Sequence, residues 1–138
     1  MRCFFTILTV AMFLCGSVFA GDVSKGRAVA IEHCARCHVV GDLNKFGGIG
    51  STPSFQLIAG MKDGEERFRT FYARRPHPNF VRVPDLPRFS KAPPYAIPFT
   101  VTEARIDDLM AFVATLEAKD MNRVPVVGGF GRRRQLAR

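Results

Sequence analysis

Two thiols and an imidazole stand together at Cys34-Ala35-Arg36-Cys37-His38. With two residues between them, both sulfurs reach one edge of a porphyrin, where each S–H adds across a vinyl group to leave a thioether. The imidazole that follows directly then falls under the iron as proximal ligand. Paired cysteines have other uses. A structural zinc site needs four ligands, usually two such pairs, and the second pair is missing. A thioredoxin-like redox pair needs a βαβ setting, and the chain has no convincing strand pattern. A disulfide closing so short a loop would constrain the unfolded chain little. Covalent haem c, one per chain, is the reading that uses all three residues. No Ser-His-Asp set, no paired carboxylates at a defined site and no phosphate-binding loop accompany it.

Residues 1–20 read as a secretory signal peptide. Met1 and Arg2 give a positive start, Cys3 to Cys15 is apolar except for two Thr, and Val18-Phe19-Ala20 places small residues where a signal peptidase reads. The apolar run is short for a membrane span. Lipid attachment at Cys15 is the rival, but Leu14 stands where a small residue is wanted. Cleavage after Ala20 leaves Cys34 and Cys37 as the only thiols and sends the protein to the periplasm. Haem attachment fits that compartment, because in bacteria it follows export.

The whole chain has 138 residues, 47% hydrophobic and 23% charged, with net charge +8. That is globular composition and excludes a disordered chain or a large multidomain enzyme. Residues 21–122 are nearly neutral. Residues 123–138 add Arg123, Arg132, Arg133, Arg134 and Arg138 with no acid. The resulting domain plan is a signal peptide over 1–20, a haem domain over 21–118 and a flexible basic tail over 119–138. The tail is either a solvated end or an electrostatic contact to an anionic membrane or an acidic partner. Nucleic acid is not an expected partner of an exported protein.

The positioning elements read as all-α. A first helix runs from about Ser24 into the cysteine pair, capped by Asp22 or Ser24, with Gly26 in it for close backbone approach. A glycine-rich loop spans Val39 to Thr52, and a short helix follows Pro53. A helix from Asp63 to about Arg74 has Asp63 as cap and buries Phe68, Phe71 and Tyr72. Seven of the nine prolines fall in residues 76–98, which makes that stretch an extended loop. The last helix starts near Thr100 or Thr102, with Thr100 and Glu103 as a capping box. Its stripe is Ile106, Leu109, Met110, Val113 and Leu116, with Phe112 at the edge.

With these residues in place, the chain resembles the small monohaem c-type cytochromes of the class I cytochrome c family over nearly the whole domain. The resemblance implies a small helical domain wrapped around one covalent haem. It implies that the last helix crosses the first with Phe112 near Gly26. It also implies that the Pro53 carbonyl orients His38 through its other ring nitrogen. The family usually supplies a methionine between the middle and last helices as sixth iron ligand, and here no Met lies between Met61 and Met110. Arg75-Pro76-His77-Pro78-Asn79-Phe80 is similar to short bacterial relatives whose ligand Met stands three residues after the His, the position of Phe80.

Four distal arrangements follow. His77 binds the iron, or only hydrogen-bonds nearby; Met61 folds over the distal face, or is a core or rim residue after the short helix; Met110 coordinates, or packs in the core; or Phe80 and its neighbours close an apolar pocket over an open iron. His33 reads as a surface or cap histidine. Arg74, Arg75, Arg82, Arg88 and Lys91 form a solvated rim, or face propionates or an acidic partner. The expected function is periplasmic single-electron transfer between redox proteins such as a dehydrogenase, oxidase or reductase, without enzymatic turnover. The alternative is a gas- or peroxide-binding c-type haem protein with an open distal position.

Overall fold

A computed structural model describes residues 21–118. The signal peptide expected over 1–20 and the basic tail expected over 119–138 lie outside the described residues.

Four helices carry the domain: α1 (Val23–Val29), α2 (Phe55–Ala59), α3 (Gly64–Arg69) and α4 (Glu103–Val113). Asp22, not Ser24, caps α1: its carboxylate accepts from the backbone of Ser24 at 2.8 Å and of Lys25 at 3.1 Å. The backbone N–H of Asp22 in turn donates to the Asp108 carboxylate on α4, 2.7 Å away. Four residues on, α1 lies against α4 at Gly26. A Cβ there would run into the Asp108 carbonyl and stand 2.9 Å from the Phe112 Cβ. The glycine spacing and the aromatic opposite it are therefore one device, a backbone-to-backbone helix crossing.

Past Val29 the helix widens into a π-helical turn, Ala30–Cys34, in which Ala35 N–H reaches back to Ala30 O at 2.9 Å. Nothing in the residue types announces this turn. α2 follows Pro53 and is capped by the Ser54 hydroxyl, which accepts from Leu57 N–H at 3.2 Å.

α3 is shorter than the expected span from Asp63 to Arg74. The Thr70 hydroxyl bonds back to the Glu66 carbonyl at 2.7 Å, and the chain continues as a tight turn over Phe71–Ala73. Asp63 does not cap α3; its carboxylate is taken by Arg67 Nε at 2.8 Å. At α4 the cap is Thr102, which accepts from Arg105 N–H at 3.3 Å. The capping box on Thr100 does not form, because Thr100 belongs to a strand.

That strand is half of a two-stranded ladder, the one departure from helix among the described regular elements. β1 (Val81–Arg82) and β2 (Phe99–Thr100) pair in parallel, Val81 opposite Phe99 and Arg82 opposite Thr100. The prolines between them stay outside the ladder, as a missing N–H requires. The ladder draws together the two ends of the chain between Arg82 and Phe99.

Two apolar clusters result. One joins Val29, Ala30, Val40, Phe55, Phe68, Leu109, Phe112 and Val113; the other joins Val81, Val83, Val101 and Ile106. α4 feeds both, and Phe71 packs against each. Among the described residues no helix is long and apolar enough to cross a membrane.

The α1–α4 crossing yields a direct test. Gly26→Ala forces a methyl into the α4 backbone and is expected to lower unfolding stability by about 3 kcal/mol, read as a shifted denaturant midpoint. Gly50→Ala, where an added Cβ meets nothing within 4 Å, is expected to change stability by less than about 0.5 kcal/mol.

Candidate functional site

α1 and its π-helical turn deliver Cys34 to the side of a cavity of about 520 Å³. The chain then folds back tightly, with Cys37 and His38 N–H groups 3.0 and 2.9 Å from the Cys34 carbonyl. Cys34, Cys37 and His38 all line this one cavity, together with apolar side chains that include Phe55, Ile58, Phe68 and Leu109. The two thiols are not joined to each other. Burial pushes the Cys34 thiol up to about 12, and the adjacent Cys37 adds to the rise. Thiol–disulfide exchange depends on the opposite, a lowered thiol. Among the described residues no group of three or more His, Cys, Asp and Glu side chains is placed to hold a metal ion.

His38 is fixed by its second nitrogen. Nδ1 lies 2.7 Å from the Pro53 carbonyl. A carbonyl only accepts, so Nδ1 carries the proton and Nε2 keeps its lone pair. Burial lowers the proton affinity of the ring, and the Pro53 carbonyl opposes that fall. The Phe55 ring meets His38 edge-on at 5.6 Å.

Asn44 holds the motif in shape, and sequence reasoning missed it. Its amide donates to the carbonyls of Ala35 at 2.7 Å and His38 at 2.8 Å, and its oxygen accepts from Val40 N–H at 2.7 Å. One side chain thus bonds the backbone within, at and just after the Cys-x-x-Cys-His segment. The only local signal is an amide residue, able to donate and accept at once, in a loop otherwise rich in glycine.

The proline-rich segment supplies the opposite wall. His77 opens a tight turn over His77–Asn79, and its Nδ1 lies 3.1 Å from the Arg74 carbonyl. Burial lowers its proton affinity, the Arg74 carbonyl works against that, and nearby His38 adds to the lowering. Phe71 meets His77 edge-on at 5.4 Å and Phe80 stands beside it at 5.8 Å. Across the cavity the His38 and His77 rings are 6.1 Å apart and within 8° of parallel. Met61 and Phe80 also line the cavity. Met110 does not; it packs against the first apolar cluster.

Two expectations change. His33 is no surface histidine: its side chain is 14% exposed and its ring stacks on Phe99 at 4.2 Å. Its Nε2 is buried without a hydrogen bond, 3.6 Å from the Glu32 carboxylate. The basic rim also divides. Arg74 and Arg75 line the cavity beside Arg67, whereas Arg82 is tied back to the carbonyls of Pro78 and Val81 at 2.9 and 2.7 Å.

The donor set and the cavity fit a covalently attached haem. Two free thiols and an oriented imidazole with a free lone pair share an apolar slot, whose volume suits a bound cofactor. The clasp on the motif is testable. Asn44→Ala removes three hydrogen bonds at once and is expected to lower stability by about 2 kcal/mol in chemical denaturation.

A family model described as Cytochrome c matches residues 23–117. Searches among curated proteins and among solved structures found no match. The matched span takes in α1, the two thiols, His38, the proline-rich segment and α4 together, and so the chain belongs to the cytochrome c family, a family of haem-based electron-transfer proteins with covalently attached haem c.

Proposed function

We propose that this chain is an exported monohaem cytochrome that passes single electrons between redox proteins in the periplasm. The observation that carries the reading is the convergence of Cys34, Cys37 and His38 on one apolar cavity. There Cys34 and Cys37 would hold haem through two thioether bonds, and His38, oriented by the Pro53 carbonyl, would offer its Nε2 to the iron. Bound haem supplies a one-electron couple at the iron. The chain's own task is to hold that group dry and rigid, so that little rearranges when charge changes. Phe55, Phe68 and Leu109 give the slot an apolar lining; of its arginines, Arg67 and Arg74 pair with Asp63 and Glu66 at 2.8 Å each, and Arg75 offers positive charge to carboxylates.

Exposed apolar residues at the cavity support transient docking. Ile49 and Tyr95 both line it and are 52% and 65% exposed. A small apolar patch around a redox centre suits brief encounters with a partner protein. The periplasmic assignment rests on the leader pattern of residues 1–20. The arginine-rich tail would add attraction to an acidic partner or an anionic membrane surface.

Expression of the full chain in a bacterium that matures c-type cytochromes tests both parts. The expected product is periplasmic, begins at Gly21 and keeps its haem on a denaturing gel. A Cys34→Ala, Cys37→Ala double variant is expected to lose all covalent haem, and a chain started at Gly21 without the leader to gain none. Covalent haem on the leaderless chain, or on the double variant, would contradict the assignment. Reversible one-electron voltammetry of the product is the further expectation for a carrier.

A further inference from the structure

The separation of His38 and His77 is larger than ring contact requires. Where two rings of this protein touch face to face, as His33 and Phe99 do, their centres are 4.2 Å apart and 2° from parallel. His38 and His77 are also nearly parallel, at 8°, but their centres are 6.1 Å apart. Two metal–imidazole bonds of about 2 Å, plus roughly 1 Å from each bonded nitrogen to its ring centre, add to about 6 Å. The distance between ring centres equals that of two imidazoles bound to one metal ion through facing nitrogens.

The hydrogen bonds assign the same role to both rings. His38 gives its Nδ1 proton to the Pro53 carbonyl, and His77 gives its own to the Arg74 carbonyl. Each ring therefore presents Nε2 as an uncommitted lone pair, in the tautomer that a metal-bound histidine needs. Only His38 has the cysteine pair before it. His77 reaches this state through separate sequence, between two prolines that fix its backbone. Its own N–H is also bonded to the Arg74 carbonyl, at 3.0 Å, so one carbonyl holds both the backbone and the ring.

We propose that His77 is the sixth iron ligand, opposite His38, and that this cytochrome is bis-histidine coordinated. The alternatives lose ground for separate reasons. Met110 is outside the cavity lining. Phe80, at the position that holds methionine in similar relatives, has no donor atom and packs beside His77. Met61 lines the cavity, but the ring opposed to His38 is His77. Two nitrogen ligands give a lower potential than a histidine–methionine pair, so this assignment places the carrier at the reducing end of its family. It rests on the haem and does not depend on the periplasmic-carrier reading.

Spectroscopy of the holoprotein tests it. The ferric protein is expected to be low-spin, without the weak red band of methionine–iron bonding. The ferrous protein is expected not to bind carbon monoxide. Because parallel imidazole planes split the iron d orbitals unequally, its electron paramagnetic resonance should be rhombic, with three resolved g values. His77→Ala is expected to become high-spin and to bind carbon monoxide, with added imidazole restoring the low-spin spectrum. That rescue separates ligand loss from misfolding, since the thioethers retain the haem either way. Met61→Leu is expected to leave every spectrum unchanged. A high-spin or carbon-monoxide-binding wild type, a methionine–iron band, or an open iron in Met61→Leu but not in His77→Ala would overturn the proposal. Low-spin bis-histidine spectra without reversible voltammetry would leave His77 in place and defeat the carrier reading instead.

Discussion

The contact of the α1 backbone with the α4 backbone at Gly26 sets the frame for everything else. With no side chain at that position, the two helices meet at the Asp108 carbonyl and the Phe112 side chain. The Asp22 cap and its bond to Asp108 fix the start of α1 against the same region of α4. From that fixed start the residues up to Cys34 leave no freedom over where the first thiol arrives. The π-helical turn adjusts the final approach, a use such turns often have near functional sites. Leu109, from the same α4, closes part of the cavity that Cys34 faces. One helix crossing thus positions both the reactive motif and part of its apolar surroundings.

The protein part of the interior is divided. One apolar cluster lies under α1, α2, α3 and α4, and another lies under the proline-rich segment. The slot lined by Cys34, Cys37, His38 and His77 lies where side chains from both regions meet. A domain this small buries a limited share of its surface, and an unfilled apolar slot would forfeit packing contacts on both walls. Covalently attached haem c is therefore as much a part of the core as Phe55 or Leu109. Bound in the slot, it would join the two clusters. That accounts for the economy of the regular structure: α2 and α3 need few residues when the cofactor supplies their facing surface.

What could be read from residue types was what depends on local chemistry. The spacing of Cys34, Cys37 and His38 names its cofactor, and a glycine inside a helix, as at position 26, signals close approach. The α4 stripe follows from helical period, with Ile106, Leu109 and Val113 buried and Phe112 buried with them rather than at the edge. What could not be read depends on partners distant in sequence or on a choice between equivalent groups. Thr100 and Thr102 are equal as caps until β1 claims the first. Asp63 looks like a cap until Arg67 takes its carboxylate. Asn44 is an unremarkable loop amide until three backbone groups converge on it. Residue types alone leave both His77 and Met61 open as ligands, because no periodicity links residues 61–80 to His38. Only the folded chain sets one ring parallel to another across the slot.

The central claim, that haem completes the core, is best tested by amide hydrogen exchange on the haem-loaded chain and on its haem-free Cys34→Ala, Cys37→Ala counterpart. The account predicts that α2, α3 and residues 76–98 lose protection without haem, while protection at the α1–α4 crossing falls least. Equal protection of all these segments in both proteins would contradict it, and would mean that the polypeptide closes its own core.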